Sequence, residues 1–293
     1  MTPGGLPAEH QGRARPFRRS AGPAGTPFAV PPPRPAENPV PSGARATTLA
    51  GMIRDEARLL ALEVDAIHGL DRSPGGAPAR LRDPSVLALW AWSPRARLAA
   101  LGPALAPPHT LGDSGGPYAP ELRPEPLVRL AAALGETAVT LEGGPCFVFP
   151  APLPDPGPAP LPVLVSTEAG RTAAQRLIRP ENWQPGEWAE LIGGGAGPWA
   201  MAVHDGQPVS ICHTPAEGPT TAEAGIWTRA DFRGRGLAPA VVAAWSHHAR
   251  HGKEALFYST TAANRASRAV ARRLGLTPLG WLWRLRAAEP GNG

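Results

Sequence analysis

Six consecutive residues offer the clearest chemistry in this chain: Arg233, Gly234, Arg235, Gly236, Leu237 and Ala238. They lie between Ala222–Thr228, which reads as a strand, and an apolar stretch that reads as a helix from Ala238. The first amides of a helix have no intrahelical acceptor, and the helix end carries partial positive charge. Glycines just ahead of it lack the Cβ atoms that would hold a phosphate away from those amides. The segment therefore reads as a pyrophosphate cradle. A P-loop would need a lysine and Ser/Thr after its second glycine, and none follows. A dinucleotide fingerprint could use Gly234 and Gly236, but Pro239 stands where the third glycine belongs. What remains is Arg-x-x-Gly-x-Ala, carried by Arg233, Gly236 and Ala238. The competing reading is a basic turn capping an ordinary helix.

Several elements must position this loop. Pro198–Val203 and Pro208–Cys212 flank His204-Asp205-Gly206-Gln207, and Asp-Gly between apolar runs signals a hairpin. Val241, Val242, Trp245 and Ala249 recur at helical spacing, and Gly252 is placed to end that helix. Ala255–Thr260 reads as a strand and Arg265–Leu274 as a helix capped by Asn264 and stopped by Gly275. Leu279, Trp281, Trp283 and Leu285 alternate with Gly280, Leu282, Arg284 and Arg286, a strand with one strongly apolar face. Upstream, Val163–Val165 is a short β-branched run. Arg171–Ile178 and Pro185–Ile192 read as helices, the second stopped by Gly193-Gly194-Gly195.

The order hairpin, strand, glycine loop, helix, strand, Asn, short helix, Leu-Gly-Leu, strand resembles the core of the GNAT superfamily of N-acyltransferases over roughly Pro198–Arg286. Arg233, Gly236 and Ala238 match its acyl-CoA loop. Asn264 through Leu276 is similar to its Asn-x-x-Ala/Ser…Leu-Gly-Phe signature, with Ser267 at the small position. The resemblance implies an α/β (α+β) fold, a mixed and mostly antiparallel twisted sheet flanked by helices. It implies acetyl-CoA as co-substrate and an amine acceptor, with direct attack in a ternary complex. Main-chain groups of Arg233, Gly234, Arg235, Gly236, Leu237 and Ala238 would hold the pyrophosphate. In this family the strand before the loop splays from its neighbour, and Ile226, Trp227 and Thr228 would bind the pantetheine arm. The amide of Ile226 or Trp227 would polarise the thioester carbonyl. Asn264 and Ser267 would contact the cofactor arm from the next strand's end.

A lysine-like amine, with a pKa of about 10.4 in water, must lose a proton before attack, and a general base supplies this step. Glu223, on the strand entering the loop, is the leading candidate and His213 the next; the plain alternative for Glu223 is a solvated strand residue. Family members often carry a tyrosine four residues before the glycine of the Leu-Gly-Phe motif as general acid. Ala271 stands there. Tyr258, Ser259, Ser267, a water or bulk solvent is left to protonate the thiolate. The second reading is a non-catalytic CoA-binding sensor or scaffold with a degenerate site.

Composition sets the remaining bounds. The chain has 293 residues, 42% of them hydrophobic, with 34 glycines and 39 prolines. Lys253 is the single lysine among 29 basic residues. Arginine richness thus looks like a coding bias and says little of nucleic acid, which is not expected as a partner. Residues 1–45 carry Arg13, Arg15, Arg18, Arg19, Arg34 and Arg45 against Glu9 and Glu37, which is +4 of the chain's +5. Rich in proline and poor in large apolar side chains, they read as a disordered, idle tail. Residues 46–150 read as a smaller α/β region of unknown role, with helices at Thr48–Leu62 (Thr48 as cap) and Glu125–Leu134. Strands are expected there at Thr137–Leu141 and Cys146–Phe149, and Ser85–Trp92 is ambiguous. Residues 151–162, half of them proline, read as a stiff linker, and 163–293 as the acyltransferase domain. No apolar run reaches membrane length, Cys146 and Cys212 form no metal spacing, and the eight histidines lack a third ligand. The expectation is a cytoplasmic protein without metal or membrane partner, with a homodimer as an option.

Overall fold

The hairpin expected at Asp205-Gly206 is present, joining β-strands that end at His204 and begin at Gln207. In the computed structural model, which describes residues 55–71, 79–105, 111–112 and 116–288, Asp205 and Gly206 both have positive φ, 48° and 71°. That is the geometry a two-residue turn needs to follow the twist of its strands. The expected tail, residues 1–45, lies outside the described residues.

In chain order the elements are α1 (Glu56–His68), β1 (Leu70–Asp71), β2 (Ala79–Leu81), β3 (Ala88–Trp92), β4 (Arg97–Leu101), α2 (Glu125–Leu134), β5 (Val139–Val148), β6 (Val163–Val165), α3 (Glu168–Ala174), α4 (Pro185–Gly193), β7 (Ala200–His204), β8 (Gln207–Glu217), β9 (Thr221–Thr228), α5 (Leu237–Ala249), β10 (Ala255–Ser259), α6 (Arg265–Arg273) and β11 (Thr277–Ala287). The strands form one sheet in the order β1-β2-β4-β3-β11-β5-β10-β9-β8-β7-β6. It is antiparallel except at β2–β4 and β9–β10. This is the mixed, mostly antiparallel sheet flanked by helices that the sequence pattern implies.

Helices cover both faces. One face carries α1, which buries Leu59, Leu60 and Val64 on Cys146, Val148, Phe257 and Leu282. Beside it α3 and α4 bury Ala174, Trp188 and Leu191 on Met201 and Ile211. The other face carries α5 and α6, packed on Ala222, Ala224, Leu256 and Tyr258. There α2 also covers Trp90, Trp281, Trp283 and Leu285.

The chain on either side of residues 151–162 does not form two separate sheets. β5, from before that segment, lies between β10 and β11, pairing Phe257 with Val148 and Trp283 with Gly143. β11, the last strand, pairs in turn with β3. The two expected strands at Thr137–Leu141 and Cys146–Phe149 are thus one, because Gly143 and Gly144 continue it rather than break it. A Cβ on Gly143 would sit 2.4 Å from the Trp283 ring, and one on Gly144 would sit 1.8 Å from the Thr260 carbonyl oxygen. These glycines serve close approach within the sheet.

Other boundaries differ for local reasons. The first described helix starts after Asp55, whose carboxylate accepts from the Arg58 amide at 2.9 Å, and runs past Leu62 to His68. Residues 48–54 lie outside the described residues. Ser85–Trp92 resolves as a strand at Ala88–Trp92. The helix expected at Arg171–Ile178 begins earlier, because Thr167 caps it through the Gly170 amide. β11 is apolar on both faces: a bulge at Pro278–Gly280 turns Leu279 to the side of Leu282, opposite Trp281 and Trp283.

A chain of residues 163–293 alone lacks β3 and β5, which leaves β10 with only its short β9 ladder, β11 unpaired and Trp281 and Trp283 uncovered. It should purify as aggregate or as a molten species, whereas the full chain melts cooperatively. A cooperative melt of the short chain, seen by near-ultraviolet circular dichroism, would contradict this.

Candidate active site

The site is built where β9 parts from β10. The parallel ladder runs only from Thr221–Ala255 to Glu223–Phe257, while β9 stays paired with β8 out to Thr228–Ser210. Beyond Glu223 the two strands fork. Glu223 stands at the crotch and bridges it: its Oε1 accepts from the Ser259 amide at 2.6 Å and from the Ser259 hydroxyl at 2.8 Å. Its other oxygen, Oε2, has no partner among the described residues. Glu223 is 5% exposed, so it is no solvated strand residue. Burial pushes its pKa up to about 7, against the lowering effects of Ser259 and Arg284.

His213 lies on the same face of the sheet. It pairs with Gly225, and a Cβ on that glycine would meet its imidazole Cε1 at 2.7 Å. Gly225 and Glu223 are two residues apart on one strand, a repeat of about 7 Å. The Trp183 ring meets the imidazole edge to face at 5.2 Å. Burial holds the His213 pKa down at about 4, so the ring is neutral near pH 7. Both candidate bases therefore converge at the fork, flanked by α1 on one side and the α3–α4 segment on the other.

Ile226, Trp227 and Thr228 follow on the splayed limb and are half-buried. A short 3₁₀ turn, Ala230–Phe232, then leads into the glycine loop. Gly234 and Gly236 both adopt left-handed φ, 75° and 76°, and Gly236 is the residue from which α5 starts at Leu237. Ala238 lies in the first turn; Pro239 follows it and has no N–H to offer. Two guanidinium groups lie over the Phe232 ring, Arg229 at 4.4 Å and Arg235 at 4.6 Å from its centroid. Arg233 is exposed, its Nε donating to the Thr228 carbonyl at 3.3 Å. Against the loop lies an open cleft of about 300 Å³, lined by Pro156, Pro160, Gly234, Arg235, Gly236 and Arg273 among others.

The remaining expected residues sit on the far side of the fork. Asn264 caps α6, its side-chain oxygen accepting from the Ser267 amide at 3.0 Å. Tyr258 points away from Glu223, into the core beneath α5 and α6, and is 1% exposed. Burial raises its phenol far above the usual range, with Ser267 opposing the shift. Ala271 faces the same core and is fully buried, which leaves no room for a phenol.

Two contributors escaped sequence reading. Arg273 comes from the last turn of α6, and Pro156–Pro160 from the proline-rich segment, which lies across α5 rather than standing free. Neither carries a local motif; only tertiary placement brings them to the cradle.

A forked mixed sheet with a glycine loop ahead of a helix agrees with the fold that the sequence resemblance implies. Residues 165–277 match the family model of the acetyltransferase (GNAT) domain. Solved structures similar to the chain include a GCN5-related N-acetyltransferase from Kribbella flavida, 16% identical, with a TM-score of 0.41, covering 81% of this chain and 96% of its own. A tandem GNAT protein from the clavulanic acid biosynthesis pathway is 15% identical, with a TM-score of 0.39 and coverage of 76% and 79%. A GNAT-family acetyltransferase from Colwellia psychrerythraea is 18% identical, with a TM-score of 0.39 and coverage of 55% and 62%. No curated protein matches the chain. Among the described residues no helix is long and apolar enough to cross a membrane.

The raised Glu223 pKa has a stability consequence. The folded carboxyl keeps its proton to about pH 7, whereas the unfolded one releases it near about 4.3. Its contribution is fully present below the unfolded value and is lost as pH rises through 7. The melting temperature of Glu223→Gln relative to the unchanged protein should therefore climb between pH 5 and pH 7.5. Parallel curves across that window would show that Glu223 titrates normally.

Proposed function

We propose that the protein is an N-acyltransferase that moves an acetyl group from acetyl-CoA to an amine by direct attack in a ternary complex. The observation that carries this reading is the fork itself. β9 loses its β10 partner immediately ahead of a glycine loop and a helix N-terminus, which frees main-chain groups for an extended ligand. The donor set fits that ligand: loop amides and the Arg235 and Arg273 guanidinium groups for phosphates, and a half-buried strand limb for an amide-bearing arm.

In this reading the amides of Gly234 through Ala238 and the side chain of Arg233 bind the pyrophosphate. The limb Ile226–Thr228 aligns the pantetheine arm, and an amide of Ile226 or Trp227 faces the thioester carbonyl, stabilising the oxyanion that develops there. Asn264 and Ser267 flank the arm from α6. Holding amine and thioester together removes most of the entropic barrier. Glu223, with a pKa close to neutral, is poised to accept the amine proton through water. Acetyl-CoA is a co-substrate here and no metal takes part; the protein is taken as cytoplasmic.

One observation favours the alternative of a CoA-binding sensor: Ala271 replaces the expected acid, and Tyr258 is buried away from Glu223. Thiol release from acetyl-CoA over a panel of amines separates the two. Release with any amine supports the transferase; calorimetric binding of acetyl-CoA without release supports the sensor.

Gly236→Glu sets a carboxylate where phosphate should lie and strains a left-handed position. It should weaken acetyl-CoA binding at least about 100-fold, or about 2.7 kcal/mol, with an unchanged circular dichroism spectrum. Normal affinity in this variant would mean that the cradle is elsewhere. Glu223→Gln should remove the limb of the kcat/KM profile near pH 7. An unaltered pH–rate curve would eliminate Glu223 as the base.

A further inference from the structure

Glu63 has no role in the reading above, and its helix, α1, lies outside the residues that match the GNAT domain. Yet it is completely buried, and among the described residues the only donors that reach its carboxyl are the weak Cys146 thiol and the Arg284 guanidinium. Three elements present polar groups to it: Glu223 from β9, the Cys146 thiol from β5 and the Arg284 guanidinium from β11. Cys146 and Ser259 are register partners on adjacent strands, and Ser259 holds Oε1 of Glu223. Glu63 and Glu223 therefore approach one polar cluster from opposite sides, one from α1 and one from the strand fork. Oε2 of Glu223 has no partner among the described residues, and Glu63 is met from β5 by nothing stronger than a thiol. Cys212 and Tyr258, from the far side of the sheet, also feel the Glu223 charge.

Two carboxylates cannot both be ionised in such a place without donors to meet them. The cluster retains a proton, and burial and the Glu223 charge both push Glu63 toward holding it. We propose that Glu63 is a positioning residue for proton transfer: it and Glu223 form one proton-binding unit, in which Glu63 keeps the proton and Glu223 stands as the single carboxylate. The inference rests on the acyl-transfer reading and adds to it a residue from the N-terminal region. The ammonium first loses one proton to solvent water; as the C–N bond forms, the amine nitrogen gives a second proton to Glu223. As the C–S bond breaks, its electron pair leaves with sulfur. The unit then returns one proton through water to that sulfur and regains its starting charge. A unit able to give as well as take a proton makes a separate phenol unnecessary, which accommodates Ala271.

The test is a pH titration of the full chain, carrying ¹³C-labelled glutamate and no ligand, by carboxyl-carbon NMR. Glu63→Gln and Glu223→Gln assign the two signals. In the unchanged protein both signals should titrate in two steps with shared midpoints. In Glu223→Gln the Glu63 midpoint should fall by at least about one pH unit, because the neighbouring charge is gone. In Glu63→Gln the Glu223 curve should become a single step. Glu63→Gln should also change the shape of kcat/KM against pH, while KM for acetyl-CoA stays within about twofold. Two independent single-step curves in the unchanged protein would overturn the proposal; if a Gln variant fails to fold, the Asp variant at that position assigns the signal by its loss. Coupled curves in a protein that binds no acetyl-CoA would keep the pair and overturn its part in acyl transfer. Acetyl transfer with independent curves would keep the transferase and overturn the pair.

Discussion

A β-sheet can open into a fork only if the main-chain groups left at the crotch find other partners. Here one side chain meets that condition. Glu223 turns its carboxyl toward β10 and takes both the amide and the hydroxyl of Ser259. The bridge holds the strands together up to Glu223 and lets them separate beyond it. The loop, the helix α5 behind it and the half-buried limb Ile226–Thr228 are all set by this point. The arrangement also fixes the chemistry of the carboxyl itself. A group buried deeply enough to seal a sheet is desolvated, and desolvation brings its proton affinity close to neutrality. Structural sealing and proton handling are thus two results of one burial.

The second constraint is interleaving. β5 and β11 exchange places between the parts of the chain before and after the proline-rich segment, so each part completes the other's sheet. Close approach within this seam explains the pair Gly143–Gly144, and Gly280 likewise, whose added Cβ would lie 2.2 Å from the Trp92 carbonyl oxygen. The proline-rich segment then crosses α5 between two strands of the same sheet. Its stiffness suits a strap that spans a surface as well as it would suit a spacer.

Local signals were readable where local physics decides. The Asp205-Gly206 turn, the left-handed glycines of the loop, the Asn264 cap and the helices at Glu125–Leu134 and Pro185–Gly193 follow from turn, cap and periodicity rules. Long-range pairing was not readable in the same way. Gly143-Gly144-Pro145 has the composition of a break, and only the Trp283 ring and the Thr260 carbonyl show why it continues a strand. Glu63 resembles any helical glutamate in the sequence; its isolation depends on strands more than 80 residues away in the chain, Cys146 and Glu223 among them. For the candidate site, the loop and Glu223 were legible because they lie on one continuous strand–loop–helix unit. Arg273 and Pro156–Pro160 were not, because they belong to elements that meet the unit only in space.

The seam has a temporal side. Trp283, on the last strand, donates to the carbonyl of Pro120, 163 positions earlier. During synthesis β3 and β5 emerge long before the strand that must lie between them, and each waits with its edge toward that strand unpaired. Contacts of such separation slow folding and prolong exposure to aggregation. The seam is therefore closed late, because residues 277–287 must be made before β3 and β5 find their permanent neighbour.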